Sequence, residues 1–223
     1  MKRQVIAIAP HPDDETLGCG GTLLRHRHDG DDIHWLVVTG MTAGEMFTPE
    51  RVASRAIEIS NVASSYKFKS VNQLNLPPTC LDTLPMGDLV AAIKMVFQRI
   101  NPEIIYLPYR GDVHTDHKAV FDAAASCTKW FRQPSVKRVM AYETLSETEF
   151  GINPDDRGFR PNVFTNIDKF IDEKLDILGL YDGEIGNPPF PRSIEAVRAL
   201  ATVRGASAGC SAAEAFMLLR EII

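Results

Sequence analysis

The stretch Val5-Ile6-Ala7-Ile8-Ala9-Pro10-His11-Pro12-Asp13-Asp14-Glu15 decides how this chain reads. Its first five residues are all apolar, with the length and branching of a strand buried on both faces. The prolines and the acidic run then end the strand. One imidazole and three carboxylates therefore stand at a strand's C-terminal end, where open α/β sheets hold their ligands. Carboxylates are costly to desolvate there unless a cation or hydrogen bonds compensate. A second cluster, Asp112-Val113-His114-Thr115-Asp116-His117, follows another apolar run, Ile104-Ile105-Tyr106-Leu107-Pro108. Two His/Asp clusters, each at a strand end, read as halves of one metal site.

Working outward, strand-like and helix-like segments alternate. Strands are expected at Val5–Ala9, Ile33–Thr39, Val71–Leu76 and Ile104–Leu107, and helices at Thr16–Asp29, Glu50–Tyr66, Gly87–Ile100 and His117–Phe131. Units of roughly 30 residues match right-handed βαβ crossovers. The fold class expected is α/β: a Rossmann-like, doubly wound, mostly parallel sheet with helices on both faces. It forms a single domain over 1–223, with its core in about the first 145 residues. The remaining third is less regular. Strands are expected at Arg138–Glu143 and Asn162–Ile167, and a helix at Asp168–Tyr181 that the turn Asn187–Pro191 follows. A last helix is expected over Ser193–Arg204, capped by Ser193.

The 223 residues are 44% hydrophobic with a formal net charge of −5, which speaks against nonspecific nucleic-acid binding, since that needs a basic footprint. No run approaches the ~20 apolar residues of a membrane span. The chain enters a strand almost at once, so no signal peptide is expected, and the default location is cytoplasmic. Cys19, Cys80, Cys127 and Cys210 are scattered, which argues against disulfides and thiolate zinc sites. Gly18-Cys19-Gly20-Gly21 resembles part of a dinucleotide fingerprint, but it lies inside the predicted helix; close packing of helix on sheet is the better account. His26, His28 and His34 read as surface or packing residues. The polar connection 40–49 reads equally as a lid over the site or as a plain surface loop.

A hydrolytic zinc site wants about three His or carboxylate ligands and an open position for water. His11, Asp14 and one histidine of the second cluster supply that set. A bound divalent ion lowers the pKa of its water to near ~7, and a neighbouring carboxylate then takes the proton. Asp13 is the candidate base, adjacent to a ligand and not needed as one. Of His114 and His117, one can ligate while the other faces substrate, with Asp116 orienting the substrate-facing ring. The plainer alternative is that Asp13 or Asp14, and Asp112 or Thr115, merely cap helices.

Pro10-His11-Pro12-Asp13-Asp14-Glu15, Gly18-Cys19-Gly20-Gly21-Thr22-Leu23 and His114-Thr115-Asp116-His117 together resemble the PIG-L/LmbE family of zinc-dependent N-acetylglucosaminyl deacetylases. The likeness extends to Thr39-Gly40, Arg55, Glu58 and Ala213-Glu214-Ala215-Phe216. It implies zinc, or another divalent ion such as Fe2+, on His11, Asp14 and His117, with Asp13 as general base. It also implies that His114, paired with Asp116, stabilises the oxyanion or protonates the leaving amine. Arg55 would lie near the sugar pocket, or else be an exposed helix residue or a partner of Glu58. Two departures stand out. Thr115 replaces a common proline, and Val113 replaces an arginine that contacts ligand in some members.

The implied reaction removes an N-acetyl group from an N-acetylglucosamine-type sugar or conjugate. The implied partner is thus a small-molecule acetamido sugar. Relatives often form homo-oligomers, though no feature of this sequence establishes one. Two other functions fit the same clusters: a metal-dependent phosphoesterase, which would want a second metal, and a metal-containing sugar-binding module without turnover.

Overall fold

Strand β1 (Gln4–Ala9) is an interior strand, third in the order of a seven-stranded sheet, and has the core on both of its faces. The computed structural model describes residues 2–42, 44, 46–152 and 157–223. Around β1 stand β2 (Asp32–Thr39), β3 (Ser70–Leu76), β4 (Ile104–Pro108), β5 (Arg138–Tyr142), β6 (Val163–Asn166) and β7 (Ala213–Glu221). The spatial order is β3-β2-β1-β4-β5-β7-β6. Strands β1 to β5 run parallel, and β7 pairs antiparallel with both β5 and β6.

Side chains alternate across this sheet. Val5, Ala7 and Ala9 join one core layer with Ile33, Trp35 and Val37, whereas Ile6 and Ile8 join the other with Leu36 and Val38. The first layer is closed by α1 (Asp14–His28), α2 (Pro49–Tyr66), α5 (Ile171–Leu178) and α6 (Ile194–Ala208); the second by α3 (Met86–Ile100) and α4 (Thr115–Cys127). In α3 the buried residues Leu89, Ile93, Val96 and Phe97 form one stripe, the i, i+4, i+7, i+8 spacing of a helix with a single core face. The α/β class, the parallel core and the helices on both faces are as the sequence led us to expect.

The chain leaves β1 to build β2 and β3 on one side, then returns to build β4 on the other. The gap between β1 and β4 is thus the topological switch point of the sheet, where the two neighbouring strand ends form a crevice. Both His/Asp clusters emerge there.

Several elements differ from expectation in their bounds, and one strand is additional. Helix α4 starts two residues early, at Thr115, because the His114 side chain caps it by accepting the Asp116 N–H; it ends at Cys127 rather than Phe131. Helix α5 covers Ile171–Leu178 only, inside the expected 168–181. Strand β7 is not among the expected strands: its place between β5 and β6 is set by antiparallel pairing with partners distant in sequence. Ser193 does cap α6, accepting the Ala196 N–H at 3.1 Å. No described helix is long and apolar enough to cross a membrane.

The Gly18-Cys19-Gly20-Gly21 run serves close packing. A Cβ at Gly18 would enter the Tyr142 ring, whose hydroxyl donates to the Ile8 carbonyl at 2.8 Å. Gly18→Ala is therefore expected to destabilise the fold by about 1–3 kcal/mol through overpacking, read by chemical denaturation; unchanged stability would mean the Tyr142 ring moves aside freely.

Candidate metal and catalytic centre

The turn after β1 presents its residues through unusual backbone geometry. Asp13 has φ of +139°, a region that residues with a Cβ rarely adopt and that is held only when the surroundings over-determine it. Asp13 forms no side-chain cap on α1, so the capping alternative does not describe it. Glu15, fully buried, accepts hydrogen bonds from the Thr16 and Tyr181 hydroxyls, both at 2.6 Å, and a longer one from the Asp13 N–H. Burial pushes the Glu15 carboxyl up to about 7. Asp14 turns back and accepts the His11 N–H at 2.8 Å.

His11, Asp14 and His117 each bring one potential ligand atom to a common point, all within 4.8 Å of one another. His11 Nδ1 lies 3.3 Å from Asp14 Oδ2, and His117 Nε2 lies 3.4 Å from Asp14 Oδ1. Each imidazole is gripped on its far side by a carboxylate: Asp116 holds His11 Nε2 at 3.0 Å, and Asp112 holds His117 Nδ1 at 2.7 Å. That is how proteins orient histidines for metal binding, with one nitrogen fixed and the other left for the ion. Among the described residues, His117 Nε2 is buried without a hydrogen-bond partner. Such an atom is expensive to leave unsatisfied, and a cation at the shared point would satisfy it. The residues present fit a divalent ion.

The electrostatics agree. Burial opposes protonation of His11, yet Asp116 and Asp14 outweigh it and raise the ring to about 9. His117 is likewise raised, Asp14 and Asp112 overcoming burial. Burial would raise Asp14, but the two imidazoles hold it well below the usual carboxylate range. The centre is thus a concentrated negative field that attracts positive charge. Asp13 lies outside the trio, 3% exposed. Burial, then Asp14 and Glu184, push its carboxyl up, while Arg192, 3.6 Å away, pulls it down.

A second trio, His11, His114 and Asp116, also falls within ligand distance. Its Asp116 carboxylate is already occupied, accepting the Thr79 N–H at 2.7 Å and the Leu81 N–H at 3.1 Å as well as holding His11. This corrects the expected pairing of Asp116 with His114. The Asp116 side chain turns to the 79–81 backbone, and only its amide reaches His114, donating to Nδ1 at 3.1 Å. That bond leaves the neutral imidazole's hydrogen on Nε2, and burial together with His11 and His117 lowers His114 below its ordinary value.

The centre opens into a cavity of about 450 Å³. Met41 and Phe47 of the 40–49 connection line one wall, so the connection borders the site, although Ala43 and Glu45 lie outside the described residues. Arg55 also lines the cavity and is buried, which excludes the exposed-residue reading. Its guanidinium sits 3.2 Å from Glu58, bonds Glu184 and donates to the Pro12 carbonyl. His26 and His34 are packing residues, bonded to Asp31 and Tyr106 and to Gln4 and Ser70, away from the site.

Sequence reasoning missed Asp112 as the partner of His117, and Arg192, Glu184 and Glu147 as cavity residues. Asp112 lay within the quoted cluster, and its separation of five residues from His117 was a usable signal; Arg192 and Glu184 had none. Asp112→Asn is expected to weaken divalent-metal affinity about 10–100-fold, the usual cost of an outer partner, measured by competition with a chromogenic chelator. Unchanged affinity would mean that the His117 ring is held by packing alone.

Several known proteins are similar to this chain. A probable N-acetyl-alpha-D-glucosaminyl L-malate deacetylase 2 of Bacillus cereus is 25% identical over 194 residues, covering 81% of this chain and 83% of its own. Among solved structures, the conserved protein TT1542 from Thermus thermophilus superposes with a TM-score of 0.78 at 26% identity, covering 99% of this chain and 96% of that one. GalB, the 4-carboxy-2-hydroxymuconate hydratase from Pseudomonas putida, reaches the same TM-score at 19% identity, covering 100% and 98%. The fold by itself therefore does not choose a reaction. The family model described as PIG-L, GlcNAc-PI de-N-acetylase, matches residues 6–128, which run from within β1 to the end of α4 and hold both His/Asp clusters. By that match, with the trio and Asp13 at its centre, this chain belongs to the PIG-L family of deacetylases.

Proposed function

We propose that this chain hydrolyses the N-acetyl group of an N-acetylglucosamine-type amino sugar or its conjugate, with one Zn2+ on His11, Asp14 and His117. The observation that carries this reading is Asp13: a buried carboxylate on a strained backbone, lining the cavity beside the trio without belonging to it. Binding alone has no need of such a group. When bound, the ion supplies Lewis acidity and lowers the pKa of water. Asp13 then accepts the proton of the attacking water. His114, its hydrogen on Nε2, donates to the oxygen that gains charge. An amine leaves an amide only when protonated, and Asp13 delivers to it the proton taken from the water, while His114 keeps its Nε2 hydrogen as a hydrogen-bond donor. Asp116 acts through its carboxylate on His11 and its amide on His114. Arg55 forms part of the wall on the substrate side, with Glu58 and Glu184 holding its guanidinium. The four cysteines are free, in keeping with a reducing, cytoplasmic setting.

The test is acetate release from a panel of N-acetylglucosamine compounds: free, phosphorylated, nucleotide-linked, malate-linked and lipid-linked. Metal-analysed protein is assayed with and without chelator. Chelator-sensitive release with about one metal per chain supports the proposal. A filled site without release from any member, or phosphate release with two metals per chain, would overturn it.

A further inference from the structure

Two sequence motifs take no part in this chemistry: Gly18-Cys19-Gly20-Gly21 in α1 and Ala213-Glu214-Ala215-Phe216 in β7. The structure joins them. Helix α1 is interrupted at Cys19, where φ is −142° and ψ is 18°. In an unbroken helix the Gly21 N–H would donate to the Leu17 carbonyl. Here it donates instead to Glu214 Oε1 at 2.8 Å. Lys174 Nζ, from α5, donates to that same Oε1 at 2.7 Å and to the Leu17 carbonyl at 2.9 Å. A lysine–glutamate pair is thus spliced into the missing helical hydrogen bond. The other carboxylate oxygen accepts the Thr22 N–H at 2.7 Å.

Lys174 and Glu214 are 3% and 5% exposed. The glycines make room for them and for the packing around them. A Cβ at Gly20 would press on the Tyr66 hydroxyl and approach Lys174 Cγ to 3.4 Å, and one at Gly21 would come within 2.9 Å of Ile167. Buried ion pairs are weak contributors to stability, because desolvation offsets the attraction; their best-attested use is to fix one geometry. The geometry fixed here is that of the break. On one side, residues 14–18 carry Asp14, and Asp13 just precedes them. On the other, Leu23 and Leu24 are buried in the core.

We propose that Lys174 and Glu214 are positioning residues for the metal centre. By holding the break in α1 they set the direction of its first segment, and with it the placement of Asp14 and Asp13. The inference rests on the reading of His11, Asp14 and His117 as metal ligands.

The test uses the full chain and Co2+, whose visible spectrum reports ligand geometry. Lys174→Met/Glu214→Gln removes both charges together, so that no uncompensated ion stays buried; Glu214→Gln alone is measured beside it, should the double variant fail to fold. The expected result is Co2+ affinity weakened about tenfold or more, in the range of other supports one step from a ligand. An altered Co2+ spectrum should accompany it, in metal-free protein that still unfolds cooperatively. Variants that melt earlier but bind Co2+ with wild-type affinity and spectrum would make the pair a structural staple and overturn the inference alone. A wild-type chain that takes up no Co2+ would overturn the metal reading and the inference with it.

Discussion

Asp13→Asn is expected to lower turnover about 10²–10⁴-fold, the range that a positioned general base contributes, while metal content stays at the wild-type level. Asparagine keeps the size of the side chain but cannot accept the proton. The trio does not include Asp13, so the ion loses no ligand. Nor is Arg192 stranded, since its guanidinium also lies 3.4 Å from Glu184. Asp13→Ala should show the same separation of metal content from activity. The check is kcat together with metal analysis on one preparation. Retained turnover would remove Asp13 as the base, and loss of metal would move it into the ligand set.

His117→Ala is expected to lose both metal and activity. The variant removes the ligand atom that lies 3.4 Å from Asp14 and leaves the buried Asp112 carboxylate with the Thr148 hydroxyl, a 2.6 Å hydrogen bond. The loss of metal affinity should exceed the ~10–100-fold expected of Asp112→Asn, because a ligand is removed and not its support. The Asp112 oxygen that loses the His117 ring should also cost about 1–3 kcal/mol of stability. Metal analysis after dialysis and thermal denaturation of metal-free protein separate the two effects. Wild-type metal content in His117→Ala would transfer the site to the alternative trio of His11, His114 and Asp116.

The core strands were legible because a parallel sheet covered on both faces leaves an unmistakable record, runs such as Val5–Ala9 and Ile104–Pro108 with no polar interruption. Residues of the site were legible for a related reason. His11, Asp13 and Asp14 follow one such run and His114 and His117 follow another, so each cluster could be placed at a strand end without knowing the neighbours. Strand β7 lacked that record. Its outer half is exposed and its inner half reads Ala-Glu-Ala-Phe, a pattern that only pairing with β5 and β6 resolves.

The sequence by itself determined the class of the fold, the two clusters and the chemistry their residue types allow, because these depend on local composition and on chain order. Only the tertiary structure decided who holds whom. The Asp116 carboxylate grips His11 and not His114, since it also accepts two backbone N–H groups of the 79–81 segment. Arg192 reaches Asp13 across the cavity, and Lys174 and Glu214 enter a gap in a helix more than 150 residues before them. Such contacts are fixed by the packing of whole elements, and hydrogen bonds between residues so far apart leave no periodicity or spacing in the chain that makes them.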